Sequence, residues 1–96
     1  MIRHTVVFTL QHAAGSAAEK TFLDDSMVLA NLPTVKKFER LKQVSSKNEF
    51  KFGFSMEFDN QSDYSAYNDH PTHVSYVRDR WIPEVKAFME IDYVTL

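Results

Sequence analysis

The chain has 96 residues, carries a formal net charge of −2 at pH 7 and contains no cysteine. This length corresponds to one small domain, so we expect residues 1–96 to form a single unit. Acidic and basic residues are interspersed, whereas nucleic-acid and membrane-surface binding require basic stripes or faces. The composition therefore argues against both kinds of partner, and the lack of cysteine excludes disulfides and thiol catalysis.

The sequence also bears on the compartment in which the protein works. The apolar run at the N-terminus is short and is broken by Arg3, His4 and Thr5, which is not the pattern of a signal peptide. No apolar stretch approaches the ~20 residues that span a bilayer. Because small secreted domains usually depend on disulfides, we expect a cytoplasmic protein.

The first predicted element is a β-strand over residues 2–10. Apolar and polar side chains alternate, so one face of the strand carries Ile2, Val6 and Phe8. His4 falls on the same apolar face. We therefore expect its imidazole to point toward the core.

A helix is predicted after a loop that ends at Gly15. Ser16 and Glu19 have the spacing of a capping box, in which the serine caps the first turn and the glutamate reaches back to it. Apolar residues then recur at helical spacing until about Asn31. Pro33 disfavours helical backbone at Leu32, the residue before it, so the helix should end near Asn31.

Two strands are predicted between the helices. Residues 35–44 carry many charges, which suits an edge strand. The alternative is an irregular start with pairing only from about Phe38. Residues 50–59 alternate clearly, so one of their faces should be buried. The large apolar side chains on that face are Phe50, Phe52, Phe54, Met56 and Phe58.

The second predicted helix begins at a cap formed by Asn60 or Ser62 and is interrupted further along. Proline is tolerated in the first turn of a helix but not in its interior. We therefore expect this helix to break at His70 and to restart at Pro71.

The restarted segment places Val74, Val77 and Trp81 on one face, at positions i, i+3 and i+7. Pro83 opens a further turn, and residues 87–96 alternate as a last strand. The elements then follow in the order strand, helix, strand, strand, helix, strand. This order predicts a ferredoxin-like βαββαβ fold of the α+β class, with a four-stranded antiparallel sheet and both helices on one face.

Two motifs resemble those of a known family, the stress-responsive A/B barrel (Dabb) domains. The opening strand Ile2–Phe8 places His4 where these domains have a recurring histidine. The run His70–Val74 is similar to their His-Pro-x-His-Val signature, and residues 81–93 resemble their closing helix and strand. The resemblance covers the whole chain and implies a homodimer, in which two sheets pack back to back as an α+β barrel.

The same resemblance implies a set of site residues. Some plant Dabb proteins are polyketide cyclases, which close a ring by aldol chemistry without a cofactor and use a catalytic tyrosine and histidine. These positions correspond to Tyr67 and His73 here, and His4 would line the same pocket. A further pocket histidine of the plant enzymes aligns near Phe52, which implies a more apolar pocket in this chain.

The residues themselves leave the choice between chemistry and structure open. An aldol cyclisation needs a base beside a carbonyl and a donor for the enolate oxygen, and these roles suit His73 and Tyr67. Alternatively, His73 is a histidine bonded to backbone or to a partner subunit, and Tyr67 is a core aromatic. His70 is expected to cap the second helical segment, and His4 is otherwise a satisfied core histidine.

A small apolar or aromatic ligand is the main functional expectation, bound between sheet and helices. The alternatives are a polyketide-cyclase-like enzyme and a cofactor-free oxygenase, as found in neighbouring families of this barrel architecture. No metal site is expected, because His70 and His73 have no third ligand nearby, and no cofactor is expected. The predicted ligand-binding residues are His4, Phe52, Phe54, Val74, Val77 and Trp81.

Overall fold

Strand β1, Ile2–Leu10, lies between two neighbouring strands of the sheet. The structure is a computed structural model that describes all residues 1–96. Strands β2 (Lys36–Lys42), β3 (Phe52–Phe58) and β4 (Val85–Tyr93) complete an antiparallel sheet with the order β2-β3-β1-β4. The predicted ferredoxin-like βαββαβ fold is therefore confirmed.

The hydrophobic core lies between this sheet and the helices. Every second side chain of β1 from His4 onward is buried, as the alternation predicted. Phe8 is fully buried, and its ring centroid lies 4.7 Å from that of Phe54 and 5.1 Å from that of Trp81. Because each buried aromatic removes roughly 150–250 Å² from water, this cluster dominates the core.

Strand β2 begins irregularly, which is the alternative that the sequence left open. Its pairing with β3 shifts between Lys36 and Glu39, and Lys37 has a φ of 51°. A residue in the left-handed region interrupts the ladder as a bulge does. Regular pairing resumes at Glu39, so the strand is shorter than the predicted 35–44.

Helix α1, Ala17–Asp25, continues as a 3₁₀ segment, Ser26–Asn31, so the helical stretch ends where it was predicted to end. Ser16 caps α1, since its Oγ accepts the backbone N–H of Glu19 at 3.2 Å. The Glu19 carboxylate accepts the backbone N–H of Gly15 at 3.0 Å. The predicted return bond from Glu19 to Ser16 was therefore wrong by one residue.

Helices α2, Gln61–Asp69, and α3, Pro71–Tyr76, are separated by the predicted break. Asn60 caps α2 through its side-chain oxygen. His70 caps α3, since its Nδ1 accepts the backbone N–H of Thr72 at 3.1 Å. The proline sits in the first turn of α3, where its missing N–H leaves no hydrogen bond unmade.

A π-helical segment, Val77–Trp81, continues α3 and is held in place by ion pairs. Arg80 donates to Glu84 and to Asp25, at 2.6 Å in each case. His12 Nε2 lies 2.7 Å from the same Glu84 carboxylate. Burial alone would raise the pKa of Glu84, but the hydrogen bonds from Arg80 and His12 hold it below its usual value. These contacts tie the segment to α1 and to the loop after β1.

Helix α4, Ile82–Glu84, leads directly into β4. The strand begins at Val85, two residues before the predicted start, because Val85 pairs with Leu10 beyond a register shift. Glu90 pairs with the inward-facing Val6 and therefore lies on the helix-facing side of the sheet. The side chains of β4 on this face are Phe88, Glu90 and Asp92.

Candidate functional site

A cavity lies between the inner face of the sheet and the helical segments. Its volume is about 130 Å³, and nine of its 12 lining residues are hydrophobic. Apolar cavities with a few convergent polar groups are the usual sites of small-molecule binding. The side chains that bring imidazole, hydroxyl or carboxylate groups to the lining are His4, Tyr67, His73, Tyr76 and Glu90.

The break between α2 and α3 brings Tyr67 and His73 together. The two ring centroids are 4.3 Å apart, and the Tyr67 ring lies 6.3 Å from that of His4. In an unbroken helix, residues six positions apart would point in different directions. The proline break is therefore what allows one cavity wall to present both side chains.

The hydrogen bonding of His73 determines which of its nitrogens is free. Its Nδ1 lies 3.1 Å from the backbone carbonyl oxygen of Asn68. A carbonyl oxygen can only accept, so Nδ1 carries the ring proton. The Nε2 of the neutral ring therefore keeps an unshared lone pair, as a proton acceptor requires.

His4 is held by a hydrogen-bonded group of three side chains. Its Nδ1 lies 2.6 Å from Asp92 Oδ1 and 2.8 Å from the Tyr64 hydroxyl. That hydroxyl donates to Asp92 Oδ2 at 2.8 Å. Because the carboxylate only accepts, Nδ1 of His4 is a donor, and the imidazole is fixed in orientation at the cavity wall.

The Tyr76 hydroxyl is the one fully buried side-chain N or O atom that has no hydrogen-bond partner. The side chain lines the cavity, the residue is only 6% exposed, and its hydroxyl makes no hydrogen bond. An unsatisfied buried hydroxyl costs roughly 1–3 kcal/mol. Such a group is available to a bound molecule that offers an acceptor.

The sequence of this chain matches a known family over almost its full length. The model of the Stress responsive A/B Barrel Domain (Dabb) covers residues 2–95. This chain belongs to the Dabb family. The resemblance recognised from His4 and from the run His70–Val74 is therefore confirmed.

Solved structures support the family and the fold of this Dabb protein. A Dabb family protein with a ferredoxin-like fold from Mesorhizobium loti is 58% identical and gives a TM-score of 0.98. The match covers 99% of this chain and 96% of that one. No curated protein matches the chain.

Two more distant proteins share the fold of this Dabb chain. A dimeric protein of unknown function from Bacteroides fragilis is 22% identical, with a TM-score of 0.71 and coverage of 98% of this chain and 95% of that one. Hydroxynitrile lyase from Passiflora edulis is 14% identical, with a TM-score of 0.84 and coverage of 99% and 93%. At these identities the likeness shows the fold alone.

Burial sets the protonation of the Tyr67–His73 pair in the Dabb cavity. It lowers the pKa of His73 below the ordinary value, and the hydrogen bond with Asn68 only partly opposes this effect. Burial likewise raises the pKa of Tyr67 far above its usual value. At neutral pH, His73 is therefore a proton acceptor and the Tyr67 hydroxyl a proton donor.

Two of the predicted site residues lie outside this cavity. Phe52 packs its ring 5.8 Å from that of Phe8 without reaching the cavity lining. Val74 is 49% exposed and lies outside the lining, whereas His73 and Tyr76 of the same helix α3 belong to it. The predicted residues that do line the cavity are His4, Phe54, Tyr67, His73, Val77 and Trp81.

Four polar residues of the site were not predicted from the sequence: Tyr64, Tyr76, Glu90 and Asp92. Alternation along β4 would have placed Glu90 and Asp92 on the inner face, but acidic residues normally indicate a solvent face. Tyr76 is three positions after His73, so helical spacing was the signal for its place beside that histidine. That its hydroxyl lacks a partner could not be read from spacing.

Two other features bear on what this Dabb protein can do. No group of three or more His, Asp or Glu side chains is arranged to hold a metal ion. None of the helices is both long and apolar enough to cross a membrane. The lining itself combines five side chains that bear imidazole, hydroxyl or carboxylate groups with an apolar surface.

Proposed function

We propose that this Dabb protein binds a small, largely apolar molecule in the cavity between its sheet and helices, as a single domain over residues 1–96. The observation that carries the proposal is the cavity of about 130 Å³ with the unpartnered Tyr76 hydroxyl in its lining. An engineered apolar cavity of about 150 Å³ in another protein binds benzene, so this volume suits a molecule with one ring.

Benzyl alcohol is a suitable probe for this cavity, with affinity expected to be about millimolar for so small a ligand. Val77→Phe adds a ring inside the cavity and should weaken binding at least about tenfold. Val74→Phe adds the same ring at the exposed position one turn earlier and should leave affinity within about twofold. NMR titration of the backbone amides measures both affinities.

The comparison requires that both variants are folded, and near-UV circular dichroism of each variant tests this. Chemical shift changes are expected to cluster at cavity residues such as Leu29 and Met56. If Val77→Phe binds the probe as well as Val74→Phe does, the ligand does not occupy the cavity and the proposal is wrong.

We propose further that the functional unit is a homodimer, joined through the sheet face opposite the helices. In one chain, that face leaves Met89 47% and Tyr93 52% exposed. The dimeric Bacteroides fragilis protein of the same fold supports this assembly. Light scattering at micromolar concentration should give twice the mass of one chain, and the mass of a single chain would refute the dimer.

A second candidate function is proton transfer beside a carbonyl group, as in an aldol cyclisation without a cofactor. Two observations favour it. Nε2 of His73 is free, and the Tyr67 ring lies beside it, with 4.3 Å between the two ring centroids. The Tyr67 hydroxyl stays protonated, because burial raises its pKa. A base and a hydroxyl donor at one apolar wall are what enolate formation needs. The hydroxynitrile lyase of the same fold supports the view that this architecture can hold an enzyme site.

A further inference from the structure

The carboxylate of Glu90 is the one acidic group in the lining of the cavity. Its position opposite Val6 in the β1–β4 ladder directs the side chain to the helix-facing side of the sheet. No basic side chain lies within 4.0 Å of its carboxylate, and the carboxylate makes no hydrogen bond. An ion pair therefore does not neutralise it.

Glu90 lies at the solvent side of the cavity. The residue is exposed, whereas Leu29, Phe54 and Met56 of the same lining are each no more than 3% exposed. A molecule with one ring would place the ring against these buried side chains. Its substituent would then reach the opening, beside the carboxylate.

Asp92, the other acidic side chain on this face of β4, does not compete for such a substituent. Both of its carboxylate oxygens are engaged, one by His4 and the other by the Tyr64 hydroxyl. It also lies outside the cavity lining. The carboxylate that remains open to a ligand's substituent is therefore that of Glu90.

We infer that Glu90 selects the ligand of this cavity: a ring compound whose substituent offers an N–H or O–H donor and carries no negative charge. An amine or an alcohol can bond to the Glu90 carboxylate, and an ammonium group is also attracted by its charge. A carboxylate substituent at the opening would instead meet a like charge and lose hydration, and the Glu90 carboxylate has no proton to donate to it. The inference rests on the proposed binding of a small molecule in the cavity, and adds the substrate class to it.

Three probes of similar shape separate charge selection from binding itself: benzylamine, benzyl alcohol and benzoate. In the natural protein at pH 7, benzylamine should bind at least about tenfold more tightly than benzoate. Glu90→Gln keeps the size of the side chain but removes its charge. This variant should bring the two affinities to within about threefold, with benzyl alcohol changed by less than about threefold.

Glu39→Gln is the matched control, because Glu39 is an exposed residue of β2 outside the cavity and its loss changes the net charge equally. It should leave the amine-to-carboxylate ratio of the natural protein unchanged. If the natural protein and Glu90→Gln show the same ratio of benzylamine affinity to benzoate affinity while both still bind benzyl alcohol, Glu90 does not select the ligand. The proposal that the cavity binds a small molecule would still stand. Failure of all three probes to bind overturns both.

Discussion

Replacing Phe8 by alanine should lower the free energy of unfolding by about 3–5 kcal/mol. The ring is fully buried and lies between three others, with centroid distances of 6.0 Å to Phe22, 4.7 Å to Phe54 and 5.1 Å to Trp81. Small domains are stable by only about 5–15 kcal/mol, so the variant loses a large part of its stability. Chemical denaturation at one fixed protein concentration measures the loss, since assembly also shifts the transition.

Phe88→Ala is the matched control for this prediction. Phe88 pairs with Phe8 across the β1–β4 ladder and faces the same side of the sheet, but it is 53% exposed. Its truncation should therefore cost roughly 1 kcal/mol, in proportion to the smaller apolar area that it buries. Equal losses in the two variants would contradict a core centred on β1.

The strands that the sequence predicted best are those with one core-facing side that is clearly apolar. In β1, alternation showed which side chains are buried, since a shift by one residue would expose the whole apolar set. In β3 it located the buried Phe54, Met56 and Phe58, but Gly53 and Ser55 on the other face are buried as well. The helix ends followed from local chemistry in the same way. Ser16 and Asn60 accept N–H groups that the first turn leaves free, and Pro71 can only begin a helix.

The candidate site was harder to predict, because its geometry depends on contacts between distant parts of the chain. Val74 was placed on the cavity side because it shares a face with Trp81 at 3.6 residues per turn, but the π-helical segment Val77–Trp81 between them has more residues per turn. Glu90 was missed because its hydropathy suggests solvent, whereas the register with β1 turns it toward the helices. Alternation groups Phe88, Glu90 and Asp92 on one face of β4, but only the pairing with β1 shows that this face meets the helices.

The proton-transfer candidate makes a prediction that needs no knowledge of the natural substrate. A general base contributes about 10²–10⁴-fold to the removal of a proton beside a carbonyl. We therefore expect the protein to speed deuterium exchange into the methyl group of acetophenone in D₂O. His73→Gln should slow this exchange at least about 100-fold, because glutamine has no basic nitrogen to take the proton.

Tyr67→Phe should slow the same exchange by about 10–100-fold, since its hydroxyl is the donor expected to bond to the forming enolate oxygen. His70→Asn is the control for loss of a nearby histidine. His70 caps α3, and asparagine caps helices well, so this variant should keep both the fold and the exchange rate within about twofold. NMR of the ketone methyl signal gives all the rates.

The pH dependence of the exchange supplies an independent check on His73. Burial lowers the pKa of His73 below its ordinary value of 6.5, so the neutral ring that acts as the base persists into weakly acidic solution. The protein-catalysed rate should therefore stay level from pH 8 down to pH 6.5 and fall only below that value. A rate no higher than that given by free imidazole at equal concentration, or a fall that begins well above pH 6.5, would rule out His73 as the base. Either result would leave the cavity as a binding site without chemistry of its own.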